Sequence, residues 1–113
     1  MLRIYHNARC KKSREGLEIL KNSGKEFETR EYLKDTLDEK ELTELIDKLK
    51  ITPIQLVRKN EKVWKEEYKH KDLSDRELVS VMVKNPKLIE RPVVETDKNA
   101  VIGRPPSEIE KLL

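Results

Sequence analysis

Residues Leu2 to Leu33 read LRIYHNARCKKSREGLEILKNSGKEFETREYL, and the fold is decided in this stretch. Leu2, Ile4 and His6 alternate with Arg3 and Tyr5 at period two, the pattern of a strand over Leu2 to His6. A short polar loop, Asn7 to Arg9, leads to a helix from about Lys11 to Asn22. Ser13, Gly16, Leu17 and Leu20 share one face of that helix, and Glu15, Glu18 and Lys21 face water. Ser23-Gly24 stops it, with glycine where a left-handed cap is expected. Phe27 to Leu33, rich in Phe, Thr and Tyr, offers a second strand. Strand, helix, strand is solved by default as a parallel pair joined by a right-handed crossover. Cys10 then stands at the C-terminal edge of the first strand.

Beyond this unit the pattern turns helical. Thr36 with Glu39 has the spacing of a capping box, followed by Leu42, Leu45, Ile46 and Leu49 at i, i+3, i+4 and i+7. Thr52-Pro53 restarts a helix that runs through Gln55 to Arg58. Val63 to Lys69 reads as a further helical turn or two, with Trp64 and Tyr68 packing one turn apart. Ser74 with Glu77 opens Asp75 to Lys84, and Asn85-Pro86 ends it. In the tail, Pro92 to Glu95 and Ala100 to Gly103 flank the turn residues Asp97, Lys98 and Asn99 and predict a hairpin. Pro105-Pro106-Ser107 then starts a last helix, with Ser107 and Glu110 as a third capping box. The order βαβ, helices, ββα predicts an α/β fold, a small mixed four-stranded sheet with an inserted helical lobe at about 36–86 of a single domain spanning 1–113.

The 113 residues hold one core, and a chain of this length is expected to fold without disulfides or metal. Apolar runs such as Val79 to Val83, broken by Ser80, fall far short of the ~20 residues that cross a bilayer. No apolar segment follows Arg3 and His6, so a cytoplasmic protein with no membrane partner is expected. The net charge of +3 is too small to argue for nucleic acid. Its distribution says more: residues 1–25 carry seven basic and two acidic side chains, and residues 26–50 carry five and nine. The basic surplus surrounds Cys10, where an anion is drawn.

Cys10 is the one cysteine, so an internal disulfide is impossible, and two histidines are too few for an ordinary zinc site. In the loop that opens a helix, a thiol meets unpaired N–H groups and the positive end of the helix dipole, and both favour thiolate. Arg9, Lys11, Lys12 and Arg14 add charge of the same sign. A thiolate among cations suits an anionic electrophile. Arg58, Arg91 and Arg104 stand at expected loops or strand ends, and arginine's planar fork holds two oxygens of an oxyanion at once. His6, four residues before Cys10, is a candidate to lend the sulfur a proton or positive charge. Ser13, three residues after it, either faces back toward the sulfur or lines the core. Arg91-Pro92 is a place for a cis bond that presents backbone polar groups to a bound thiol.

These residues resemble a known family. Ile4-Tyr5-His6-Asn7, then Cys10 and Ser13-Arg14, then Leu56-Val57-Arg58-Lys59-Asn60, then Ile89-Glu90-Arg91-Pro92-Val93-Val94, then Arg104-Pro105 with Ser107-Glu108 are similar in order and spacing to the glutaredoxin-coupled arsenate reductases. The resemblance implies a thioredoxin-like fold, Cys10 as nucleophile, and Arg58, Arg91 and Arg104 as the arsenate-binding arginines. It makes His6 and Ser13 the residues that help keep the cysteine ionised, and Pro92 the cis-proline. It further implies a monomeric oxidoreductase with no bound cofactor, in which glutathione is co-substrate and glutaredoxin completes the reduction of arsenate to arsenite. Lys11-Lys12 and Ala8 depart from the best-studied members, which carry small residues after the cysteine and often a proline in the loop. The same superfamily holds Spx-type regulators, which bind RNA polymerase. Many of those carry a Cys-x-x-Cys pair, and here the second position is Ser13. A glutathione-dependent thiol oxidoreductase with another substrate is the third reading.

Overall fold

The computed structural model describes residues 1–113. The chain divides into two compact units, Met1–Asp35 with Arg91–Leu113, and Thr36–Glu90. The first contains strand β1 (Leu2–Tyr5), helix α1 (Lys11–Asn22) and strand β2 (Phe27–Arg30). β1 and β2 are parallel, with Leu2 opposite Phe27 and Tyr5 opposite Arg30. After the second unit come β3 (Val93–Glu95), β4 (Ala100–Ile102) and a terminal 3₁₀ helix (Pro106–Leu112). β3 is antiparallel to both β1 and β4, and the strand order β2-β1-β3-β4 makes the expected mixed four-stranded sheet. Leu2 and Ile4 of β1, Leu20 of α1, Val94 of β3 and Ile109 of the terminal helix form one buried cluster, each 6% exposed or less. Their burial is the main stabilising term of this unit.

Both strands of the opening unit are shorter than their patterns predict. β1 ends at Tyr5, although the His6 N–H still donates to the Arg30 carbonyl at 2.9 Å. β2 ends at Arg30, beyond which the chain turns and buries Tyr32. α1 has the expected limits, and Gly24 takes a φ of 74° just beyond it. The terminal helix departs most. It is 3₁₀, and Ser107 does not cap it, because Pro105 holds the N-cap position and Ser107 falls inside the first turn.

The second unit contains α2 (Glu39–Leu49), α3 (Pro53–Leu56), a π-helical turn (Trp64–Tyr68) and α4 (Asp75–Lys84). The first capping box is displaced by two residues. Asp38, not Thr36, accepts from the Glu41 N–H at 2.8 Å, and Glu41 accepts from the Asp38 N–H at 3.1 Å. This start buries Leu37 before the cap and Leu42 at the fourth helical position, the spacing of a hydrophobic staple. α3 ends at Leu56 and not at Arg58, because Val57 is extended and bridges Ile89. The Arg58 N–H donates to the Leu88 carbonyl at 2.7 Å, and the Glu90 N–H donates to the Leu56 carbonyl at 2.9 Å. α4 and its Ser74–Glu77 box stand as predicted. No helix is long and apolar enough to cross a membrane.

Candidate active site

Cys10 is the N-cap of α1, with extended backbone at φ −92° and ψ 123°, and its side chain caps no N–H by the usual oxygen bond. The sulfur is partly exposed over a first turn that carries no acidic residue. Burial by itself raises its pKa. The backbone N–H groups of Ser13 and Lys12 and the Arg91 guanidinium outweigh that penalty and hold the thiol below its ordinary value. Arg104 approaches the same atom, with Nη2 3.6 Å from Sγ.

Arg91 immediately precedes Pro92 and β3, and Arg104 follows β4 by two residues, so closure of the β3–β4 hairpin brings both to the sulfur. The Gly103 N–H donates to the Pro92 carbonyl at 2.8 Å, and Arg104 Nε donates to the Arg91 carbonyl at 2.7 Å. The Arg91–Pro92 bond is cis, and so is Arg104–Pro105, which the sequence did not mark as a cis candidate. The one polar backbone group of Pro92, its carbonyl, is thus already bonded within the unit. The Pro92 ring is packed against two glycines. A Cβ on Gly103 would come within 2.9 Å of Pro92 Cγ and 3.0 Å of Ile109 Cδ1, and one on Gly16 within 3.0 Å and 2.9 Å of the same atoms. Both glycines are needed for close approach.

His6 and Ser13 form a second cluster behind the cysteine loop. Ser13 is fully buried and His6 is 6% exposed. Ser13 Oγ lies 2.6 Å from His6 Nδ1 and accepts from the Asn7 N–H at 2.9 Å. Ser13 Oγ thus joins the Asn7 N–H and the His6 ring in one buried hydrogen-bond chain. Burial lowers the His6 pKa, Arg14 and Lys21 push the same way, and Glu31 opposes them. Burial thus favours the neutral ring, whose hydrogen bond goes to Ser13. Ser13 acts on the sulfur through its backbone, while its hydroxyl joins the end of β1, the loop and α1. Asn7 and Arg14 complete the loop, Asn7 Oδ1 accepting from the Arg9 N–H at 3.0 Å and Arg14 Nη1 donating to the Ala8 carbonyl at 3.0 Å. Sequence reading gave Asn7 only a place in the loop and Arg14 only a charge, although an Asn ahead of a helix start is a turn signal.

Arg58 belongs to the second unit. Its Nε pairs with Glu61 Oε1 at 3.4 Å, and its buried Nη1 has no hydrogen-bond partner. No group of three or more His, Cys, Asp or Glu side chains is arranged to hold a metal ion.

A β2-β1-β3-β4 sheet with a cation-flanked thiol at the first strand–helix junction defines the thioredoxin-like class. The ArsC family model matches residues 5–112, and the chain belongs to that family. The arsenate reductase of Haemophilus influenzae is 37% identical over 112 residues, covering 97% of each chain. The uncharacterized protein YfgD of Escherichia coli K12 is 42% identical over 110 residues, 96% of this chain and 92% of that one. Among solved structures, the arsenate reductase from Vibrio cholerae aligns with a TM-score of 0.94 at 37% identity, covering 99% of this chain and 97% of that one.

Proposed function

We propose that the protein reduces arsenate to arsenite with Cys10 as nucleophile, and that glutathione and a glutaredoxin supply the electrons. The observation that carries this reading is the convergence of Arg91 and Arg104 on a thiol whose ionisation is favoured. Thiolate and arsenate are both anions, so attack needs cations fixed in place before charge redistributes in the transition state. Two guanidiniums beside the sulfur meet that need. The family resemblance gives Arg58 an oxyanion-binding role as well, and its buried Nη1 has no hydrogen-bond partner.

The electron balance follows from the single cysteine. The Cys10 thiolate forms an S–As bond, and one arsenate oxygen leaves as water after taking up two protons. Glutathione adds its thiol to the arsenic, and a second oxygen leaves as water. A glutaredoxin thiolate then attacks the glutathione sulfur; the electron pair of that S–As bond stays on arsenic, which becomes As(III), and a mixed disulfide forms. Water displaces Cys10 and arsenite leaves. The two electrons come from the sulfurs that end in the disulfide, so both resolving thiols are external.

The test is arsenate-dependent NADPH oxidation in the presence of glutathione, glutaredoxin and glutathione reductase. Turnover lost in Cys10→Ser, and largely lost in Arg58→Ala, is the expected result. No turnover by the native protein, or full turnover by Cys10→Ser, overturns the reading.

A further inference from the structure

The second unit contains a cavity of about 620 Å³ above the π-helical turn, a volume typical of small-molecule sites. Four lysines line it, Lys59, Lys65, Lys69 and Lys71. The first three are exposed and make no ion pair, and Lys71 Nζ stands 5.5 Å over the Tyr68 ring. Asp72 and Asp75 share the wall, so the lining keeps two positive charges in surplus. From Lys59 to Leu78 the sequence carries six basic and six acidic side chains. The stretch is neutral, and the fold has gathered lysines from it around one cavity. That cationic surplus attracts a compact anion.

The occupant's chemistry can be read from the lining. A polyanion such as nucleic acid gains little from surroundings that are neutral overall, whereas a compact ligand senses the lining alone. No arginine lines the cavity, so the fork that grips planar carboxylates is missing, and lysines act on a phosphate as point charges. Apolar side chains share the lining, Ile54 and Leu73 half-buried and Trp64 and Leu78 buried. These suit a ligand with an apolar or aromatic body.

We propose that this cavity binds a small organic phosphate, its phosphate among the lysines and its body on the Ile54–Leu73 floor, as a nucleotide would sit. Trp64 is the chain's one tryptophan and lines the cavity, so its emission reports the site directly. The full chain is titrated with ATP at low ionic strength, with inorganic tripolyphosphate as the body-less arm. ATP gives a saturable change in emission and binds at least ~10-fold tighter than tripolyphosphate. The Lys65→Gln, Lys69→Gln double variant, altered at two exposed positions, weakens ATP binding by at least ~10-fold while its circular dichroism and Cys10 alkylation rate are unchanged. The proposal is overturned by an unsaturable or absent response, by tripolyphosphate binding as tightly as ATP, or by a double variant that binds like the native protein.

Discussion

Arg104 Nε donates to the backbone carbonyl of Arg91 at 2.7 Å, so one arginine of the site is aimed by the main chain of the other. The guanidinium that bonds this carbonyl also reaches Cys10 Sγ with Nη2. Holding both contacts takes a rigid fork with donors on separate nitrogens, which lysine lacks.

Arg104→Lys is therefore expected to behave more like Arg104→Ala than like the native protein, each losing roughly 10²- to 10³-fold in arsenate turnover. Arg91→Ala raises the thiol pKa as well, since the Arg91 guanidinium is one of the groups holding it down. The pH dependence of iodoacetamide alkylation gives the pKa, and a midpoint unchanged by Arg91→Ala would contradict the assignment.

Ser13→Ala separates the hydroxyl from the backbone. It strands a buried His6 Nδ1 and a partly buried Asn7 N–H and is expected to destabilise the protein by about 1–3 kcal/mol in urea unfolding. Thiol acidity moves little, because the sulfur is met by the Ser13 backbone N–H. A large rise in thiol pKa at native-like stability would reverse these roles.

His6 gives the unfolding curve a pH signature. Its folded pKa lies below the ordinary 6.5, so the unfolded chain takes up a proton first as the solution is acidified. The contribution is fully present above 6.5 and is lost as pH falls through the folded value. Urea midpoints measured from pH 7.5 downward should fall less steeply in His6→Gln than in the native protein.

Gly103→Ala puts a methyl 2.9 Å from Pro92 Cγ and 3.0 Å from Ile109 Cδ1, on the segment between the two site arginines. Turnover is expected to fall by ~10-fold or more through misplacement of Arg104. Adding Ile109→Val, which removes a methyl from the contact, should recover part of it. Failure of the second change to restore any activity would place the defect elsewhere.

Asp38→Ala is expected to cost about 1 kcal/mol of stability as the N-cap of α2, and Thr36→Ala much less. Thermal unfolding of the two variants decides between the observed cap and the one the sequence pattern favoured.

That contrast shows where the sequence was legible. The parallel βαβ unit, the hairpin and Cys10 at the head of α1 could all be read from local patterns, because period-two and period-3.6 burial are written within a few residues. Thr36 against Asp38 could not be decided that way: both are good caps, and the choice fell to burial of Leu37. Arg91 and Arg104 were recognisable as candidates, but their meeting depends on hairpin register and on packing at Pro92, which no local pattern encodes. The division of labour within Ser13 was hidden for a similar reason. A buried serine offers one hydroxyl and one N–H, and only the fold shows that they point at different partners.

Gly16 occupies the middle of α1, where alanine would favour an isolated helix by about 1 kcal/mol. The Pro92 ring excludes that methyl, so the helix that stabilises the thiolate is intrinsically weak and borrows its order from the segment carrying the arginines. The two halves of the site should accordingly open together. In native-state hydrogen exchange, amides at the start of α1 and those flanking Pro92 would share one opening free energy, so that Arg91 and Arg104 would part from Cys10 in the same event that unwinds the turn holding it.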